Sequence, residues 1–273
     1  MSGRLVVCPT PIGNLADVTL RVLDELRSAD VAACEDTRRS RILLAHHGVD
    51  VPLLSLTEHN EAARIRELVR RIADGGTVCL LSDAGTPAVS DPGSRLVAAV
   101  REAGLAIDVL PGATAVTTAL LASGMAGGGF VFAGFLPKSR AALAGLLDRL
   151  DGAGLPVVAF ESPRRLPSTL AALAERDSDR RVAVCRELTK LHEQVEVGTA
   201  AEVAGRFAEP PRGEVTLVLA APARADAAGD VLDRAALAEL AAAVGARRAA
   251  ALASALTGVP RNRIYGRLTE PAE

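Results

Sequence analysis

The order of the hydrophobic patterns constrains this chain more than any other feature. Over the first 110 residues, short apolar runs at 4–8, 30–34, 53–56, 77–81 and 106–110 alternate with stretches of helical periodicity. Apolar runs of this length, bounded by Pro, Gly and charged residues, read as buried strands. The intervening stretches read as amphipathic helices. One is capped by Asp17 or Thr19, with Leu20, Leu23 and Leu26 on one face. Others run from Arg41 to His47, from Glu61 to Ala73 and up to Ala103, and one opens at Pro111-Gly-Ala-Thr114. A βαβα order of this kind predicts an α/β fold with a mostly parallel, doubly wound sheet.

A second unit begins near Gly127. Its expected strands are 130–135, 156–160, 181–185, 193–197 and 215–220, with helices at 139–150 and 167–175 and a short one before the last strand. These strands follow each other more closely, so the second sheet is expected to be mixed. Residues 221–230 are rich in Ala, Pro and Asp and read as a linker. Residues 231–268 are Ala-rich and helical, divided by Gly245 and Pro260 into about three helices. The domain reading is therefore 1–118, 119–222 and a helical segment at 230–273. No internal repeat is evident.

Composition narrows the function. The 273 residues are 49% apolar and carry a net charge of −2, so no global basic field advertises nucleic acid. No apolar run approaches the roughly 18 residues that read as a membrane span, and the first residues do not read as a signal peptide. The four cysteines, Cys8, Cys34, Cys79 and Cys185, form no Cys-x-x-Cys pair. They read as buried free thiols in a reducing cytoplasm. Only two of the 31 basic residues are lysines, Lys138 and Lys190. A lysine kept against such a bias marks a place where Arg would not serve, or is an ordinary surface residue. One Tyr, five Phe and no Trp leave few platforms for stacking bases. An RNA substrate would be read through phosphates and shape.

Ligands of open α/β sheets sit beyond the carboxyl ends of the strands. Six loops expected there are unusually polar or unusual in backbone: 9–14, 35–41, 57–60, 82–93, 161–165 and 186–190. Coming from both halves, they suggest a cleft between two domains. The first loop, Pro9-Thr-Pro-Ile-Gly-Asn14, is stiff and uncharged, and Gly13 would let a ligand approach its backbone. It is not the Gly-x-Gly-x-x-Gly of a dinucleotide site.

These loops resemble those of a known family. Pro9-Thr-Pro-Ile-Gly-Asn-Leu-Ala-Asp-Val-Thr-Leu-Arg21, Cys34-Glu-Asp-Thr-Arg38, Ser82-Asp-Ala-Gly-Thr-Pro-Ala-Val-Ser-Asp-Pro-Gly93 and Leu110-Pro-Gly-Ala-Thr-Ala115 are similar to segments of the ribosomal RNA small subunit methyltransferase I family. So are Phe160-Glu-Ser-Pro-Arg-Arg165, Arg186-Glu-Leu-Thr-Lys190 and Gly213-Glu-Val-Thr-Leu217. Seven segments in fixed order, from about residue 4 to 220, are far more specific than any one of them. The family belongs to the tetrapyrrole-methylase-like class of S-adenosylmethionine enzymes.

The resemblance implies two α/β domains with S-adenosylmethionine in the cleft between them, no metal, and commonly a homodimer. It implies 2′-O-methylation of a cytidine in the decoding region of 16S rRNA, on the 30S subunit. Cofactor contacts are then expected from Thr10, Pro11, Gly13, Asp83, Gly85, Thr86, Val89, Ala113 and Thr114, and from Phe160, Leu188 and the Gly213-Glu214 turn. A ribose hydroxyl is a poor nucleophile until its proton leaves, so a positioned base is expected. The foremost candidates are Lys190, with a pKa lowered by burial, Asp36 and Glu35, beside Glu161 and Glu187. Glu35 or Asp36 would equally form a structural ion pair with Arg38. Phosphate contacts are expected from Arg38, Arg39, Arg41, Arg164 and Arg165, and from Arg247, Arg248, Arg261, Arg263 and Arg267 in the tail. His59 and Asn60 are placed to hydrogen-bond a base edge or a ribose, or to cap a helix. Two other readings stand beside this one: a small-molecule, tetrapyrrole-type methylase, and a non-catalytic ribosome-binding protein of the same fold. The tetrapyrrole relatives typically open on a Gly-rich loop ending in an acid and lack the Glu-Asp-Thr-Arg segment.

Overall fold

The computed structural model describes residues 3–57, 59–87, 93–222, 234–257 and 261–269. Their contacts divide the chain into two compact units, Met1–Ala221 and Pro222–Glu273.

The first unit holds two five-stranded sheets. The first sheet consists of β1 (Arg4–Cys8), β2 (Val31–Cys34), β3 (Leu53–Ser55), β4 (Thr77–Leu81) and β5 (Ala106–Val109), in the order β3-β2-β4-β1-β5. Every pairing in it is parallel. Side chains alternate across it, as the period of two requires. Val6 and Cys8 pack with α1 (Leu20–Ser28) and α2 (Thr37–His46) on one face. Leu5 and Val7 pack with α3 (Glu61–Ala73) and α4 (Ser94–Glu102) on the other. Helices on both faces make the sheet doubly wound, as expected. The chain leaves β1 toward β2 and leaves β4 toward β5, so the neighbouring β1 and β4 send their loops to opposite sides. A crevice at such a reversal is where open α/β sheets bind ligands.

Thr19, rather than Asp17, caps α1: its hydroxyl accepts the Val22 N–H. Helix α2 starts at Thr37, four residues before the sequence pattern placed it. The Asp36 side chain accepts the Arg38 N–H, so the charged burst after β2 is a capped helix start.

Helix α5 (Ala115–Ala122) leads into the second sheet, with Thr114 as its cap. This sheet consists of β6 (Val131–Phe135), β7 (Val157–Glu161), β8 (Arg181–Arg186), β9 (Gln194–Thr199) and β10 (Val215–Leu219), ordered β6-β7-β10-β8-β9. It is mixed: β6 and β7 are parallel, and β10 lies antiparallel between β7 and β8. One face packs on α6 (Arg140–Asp151), α7 (Leu166–Arg176) and α8 (Ala200–Arg206). The other face receives Val116, Ala119 and Leu120 of α5 together with Ile12 and Leu188. Ile12 belongs to the loop after β1, so the first sheet's opening loop is packed against the second sheet.

The second unit contains α9 (Arg234–Val244), α10 (Ala246–Thr257) and α11 (Arg261–Thr269). Leu237, Ala250, Ala253 and Ile264 form its core. Gly245 ends α9 with φ of 83°. No helix among the described residues is long and apolar enough to cross a membrane.

Candidate active site

The loops after β1 and β4 are locked together by backbone. Thr10 and Gly85 exchange two hydrogen bonds, N–H to O at 2.8 and 3.0 Å, and form an isolated antiparallel bridge. The buried Thr10 hydroxyl donates to the Ser82 carbonyl at 3.1 Å, and the Ser82 hydroxyl donates to the Gly85 carbonyl at 2.6 Å. Gly85 has φ of 77°, a conformation glycine adopts without strain. The Thr86 hydroxyl donates to the Ala113 carbonyl at 3.3 Å, tying in the loop after β5.

The facing wall comes from the second sheet. The loop after β8 contains two non-glycine residues in the left-handed region, Glu187 (φ 52°) and Thr189 (φ 66°). Each costs about 1–3 kcal/mol, and such strain clusters at functional sites. Hydrogen bonds hold it in place. The Glu187 carboxylate accepts the Glu214 N–H at 2.9 Å and the Lys190 ammonium at 2.8 Å. The Lys190 Nζ also donates to the Glu214 carboxylate at 2.9 Å. The Thr189 N–H donates to Glu193 at 2.6 Å, and the Thr189 hydroxyl accepts the Asn14 N–H at 3.1 Å.

That last bond joins the two walls, and it explains Gly13. A Cβ on Gly13 would lie 2.5 Å from the Lys190 Cγ and 2.9 Å from the Leu188 carbonyl. The close approach expected of a ligand is made by the protein's own loop. Gly213 is needed for a related reason: its φ is 95°, and a Cβ there would meet the Glu187 side chain at 2.5 Å.

Between the walls are two adjoining cavities. The first, of about 430 Å³, is lined by Gly85, Thr86, Thr114, Phe135, Phe160, Cys185, Leu188 and Gly213 among others. The second, of about 250 Å³, is lined by Thr10, Pro11, Gly13, Arg39, Ser40, Asp83 and Lys190 among others. Ile12, Ala84 and Glu214 line both. Of the residues expected to touch a cofactor, Gly85, Thr86, Thr114, Phe160, Leu188 and Gly213 thus line the first cavity. Thr10, Pro11, Gly13 and Asp83 line the second. Ala113 stands behind Thr86, and Val89 lies outside the described residues.

The acid–base candidates fare differently. For Lys190, burial pulls the pKa down, but the bonds to Glu187 and Glu214 outweigh it, and the net shift is upward. The lysine is therefore an ammonium at neutral pH, and the expectation of a lowered pKa is corrected. Glu187 is shifted down, chiefly by its bond to Lys190. Asp36 is held at about 2 by the Arg38 side chain and the Arg38 N–H, so it serves as a cap and an ion-pair partner. Glu35 is exposed at the end of β2. Glu161 is buried, receives Arg165 at 2.5 Å and accepts the Thr169 hydroxyl at 2.7 Å. Burial pushes the Cys185 thiol up to about 12, which keeps it protonated beside the first cavity. All four cysteines are buried and free.

Among the basic candidates, Arg38, Arg39, Arg41 and Arg164 are exposed. Arg38 pairs with Asp36 at 2.9 Å, and Arg39 lies 3.9 Å from Asp83. Arg165 is committed to Glu161 and to the Leu136 carbonyl at 3.1 Å. Asn60 closes its own turn: its oxygen accepts the Thr57 N–H and its amide donates to the Ser55 carbonyl. His59 is exposed. In the helical unit Arg247, Arg248 and Arg261 are exposed, and the side chains of Arg263 and Arg267 lie outside the described set. Sequence reasoning passed over Ser40. Inside a basic helix start, a buried hydroxyl carries no signal of its own.

The family of tetrapyrrole (corrin/porphyrin) methylases matches residues 4–204, and the RsmI C-terminal HTH domain matches residues 226–272. The chain is 42% identical to the ribosomal RNA small subunit methyltransferase I of Mesorhizobium japonicum, over 99% of this chain and 92% of that one. It is 42% identical to the protein of the same name from Thermotoga maritima, over 80% of this chain and 98% of that one. Among solved structures, a uroporphyrin-III C-methyltransferase from Thermus thermophilus, complexed with S-adenosyl homocysteine, superposes with a TM-score of 0.57 at 20% identity. That superposition covers 80% of this chain and 97% of the other, and shows a shared fold. With its two sheets, its helical C-terminal unit and this degree of identity over nearly its full length, the chain belongs to the ribosomal RNA small subunit methyltransferase I family, within the tetrapyrrole methylases.

Proposed function

We propose that this protein transfers a methyl group from S-adenosylmethionine to the ribose 2′-oxygen of a cytidine in 16S rRNA, cytidine 1402 of the decoding region, on the 30S subunit. The observation that carries this reading is the pair of adjoining cavities, one largely apolar and one of mixed lining that includes Arg39, Asp83 and Lys190, meeting at Ile12, Ala84 and Glu214.

The first cavity suits the cofactor. Its volume falls within the range of about 300–1,000 Å³ typical of small-molecule sites. Phe160 and Leu188 offer apolar surface for an adenine, and the turns at Gly85 and Gly213 offer backbone groups to its polar edges. When bound, S-adenosylmethionine supplies a methyl group on a sulfonium centre.

The chain's own residues do the rest. The Lys190 ammonium, fixed between two carboxylates, places a positive charge beside the acceptor and favours an oxygen that is losing its proton. Charge fixed in advance in this way is worth about 10²–10³ in rate. The Glu214 carboxylate borders both cavities and receives the proton at its free oxygen. Holding the acceptor oxygen in line contributes several kcal/mol more. Arg38, Arg39, Arg41 and Arg164 meet phosphates around the target.

The test is methyl transfer from radiolabelled S-adenosylmethionine into 30S subunits lacking the modification, free 16S rRNA and a tetrapyrrole precursor. The expected label is on a cytidine ribose of the 30S subunit, identified by nucleoside mass spectrometry. Lys190→Met is expected to lower kcat about 10²–10³-fold with the cofactor Kd unchanged. Label in the tetrapyrrole alone would reverse the assignment.

A further inference from the structure

The chain is negative as a whole, at −2, but its charge is unevenly placed. Residues 240–269 contain five arginines and no acidic residue. A local excess of one sign is an electrostatic footprint that the net charge hides. The stretch spans the end of α9, all of α10 and all of α11 in the second unit.

Arg247 and Arg248 stand in the first turn of α10, and Arg261 opens α11; all three are exposed. The Arg261 guanidinium reaches the Arg247 carbonyl at 3.4 Å, which gathers the three charges at one end of α10. Among the described residues none of them has a carboxylate partner. Tyr265, the chain's single tyrosine, is one turn along α11 from Arg261 and is 37% exposed.

The first unit treats such arginines differently. Arg38, Arg95 and Arg140 stand in first turns there, and each has a carboxylate at 2.7–2.9 Å. A cation in a first turn opposes the helix dipole, and a carboxylate partner offsets that. In the second unit nothing offsets it: α9, α10 and α11 have no acidic residue in their first turns. The three arginines therefore do not serve the helices that carry them, and their counter-charge has to come from outside.

The phosphates of an RNA fit that need. A guanidinium fork matches phosphate oxygens bidentately. Helical RNA has a deep groove too narrow for side chains to read, so a small unit with three guanidiniums and a phenol hydroxyl meets it through sugar and phosphate. We infer that the second unit is an RNA anchor, in which Arg247, Arg248 and Arg261, with Tyr265 beside them, bind the backbone of a helical segment of the substrate RNA without reading its sequence. It supplies affinity while the first unit carries the chemistry. Because one chain joins the units, binding by one raises the concentration of RNA at the other. This rests on the RNA methyltransferase reading only for which RNA is held.

The test uses the full chain carrying Arg247→Gln, Arg248→Gln and Arg261→Gln together. Binding is measured over a salt series, with 30S subunits lacking the modification and with a short RNA duplex of unrelated sequence. Each lost phosphate contact removes about 0.9 from the slope of log affinity against log salt, so a slope shallower by about 2–3 is expected on both RNAs. Affinity for both is expected to fall about tenfold. On 30S subunits KM is expected to rise by a similar factor, with kcat, the Kd for S-adenosylmethionine and the melting midpoint unchanged. An unchanged slope, or a loss of kcat without a rise in KM, would overturn the anchor. Leu256→Ser is the control for a protein partner, because Leu252 and Leu256 are exposed one turn apart on α10. If that variant weakens the 30S complex and the arginine variant does not, the unit docks on protein and the inference fails. A changed oligomeric state in the arginine variant would likewise give the surface to a second copy of the chain. A duplex bound with the expected slope, by an enzyme that labels no RNA, would leave the anchor in place and remove the methyltransferase reading instead.

Discussion

The two walls of the site are built on different principles. The first-sheet wall is mostly backbone: the Thr10–Gly85 bridge, the buried hydroxyls under it and prolines that fix φ. The second-sheet wall is mostly charge: Lys190 between Glu187 and Glu214, and Arg165 against the buried Glu161. A backbone wall is rigid because its groups are satisfied locally and change little with pH. A wall of charges depends on every partner staying in place, because a partly dry ion pair that loses one member leaves the other uncompensated. The first wall therefore suits shape and the second suits chemistry. Each can be broken separately.

The largest effect on stability is expected from Arg165→Met. The Glu161 side chain is fully buried, and Arg165 is its cation at 2.5 Å. Removing the cation leaves a buried carboxylate held only by the Ser162 N–H and the Thr169 hydroxyl. Loss of one partner of such a pair costs about 3–5 kcal/mol. A melting midpoint on the order of 10 °C lower is expected by calorimetry. A variant as stable as wild type, but weaker only in binding RNA, would return Arg165 to the phosphate contacts.

Gly13→Ala strikes where the walls meet, with a smaller cost. The new methyl would stand 2.8 Å from the Thr189 hydroxyl and 2.9 Å from the Leu188 carbonyl. The Lys190 stem can yield, but a backbone carbonyl yields less. Overpacking of this kind costs about 1–3 kcal/mol. Because the displaced loop carries Lys190, kcat is expected to fall together with stability. Wild-type kcat in a destabilised Gly13→Ala protein would show that the walls act independently.

The first wall was far more legible in the sequence than the second. Five apolar runs, each ending in Pro, Gly or a charged cluster, place the parallel strands almost to the residue. The loops after β1 and β4 follow, because ligands gather at the carboxyl ends of such strands. Sequence could not show that Gly13 faces Lys190, because the two are 177 positions apart and meet only through tertiary packing. Read locally, Lys190 lies between Thr189 and apolar Leu191, and nothing in the sequence marks the left-handed turn that brings Glu187, three residues back, onto its ammonium. In the fold, Glu187 and then Glu214, from the turn before β10, bond the ammonium and reverse the sign of the shift. Asp36 shows the opposite limit: its partner Arg38 is two residues away, and the ion pair was one of two readings open from the start.

The smallest effect, and the one that separates a charge from a base, is the pH dependence of stability at Lys190. Its folded pKa lies above the ordinary 10.5, so its stabilisation is fully present below 10.5 and is lost only as pH rises through the folded value. Glu187 lies below its ordinary 4.5, so its share is present above 4.5 and is lost as pH falls through the folded value. Between these limits the pair contributes a constant amount. The difference in melting midpoint between wild type and Lys190→Met is therefore expected to be the same at about pH 6, 7.5 and 9, and to shrink at about pH 11. A lysine acting as a neutral base would have a depressed pKa, and the same difference would then change between about pH 7 and 9. A constant difference, with the fall in kcat predicted for Lys190→Met, would establish that Lys190 contributes a fixed positive charge and leaves proton acceptance to another group.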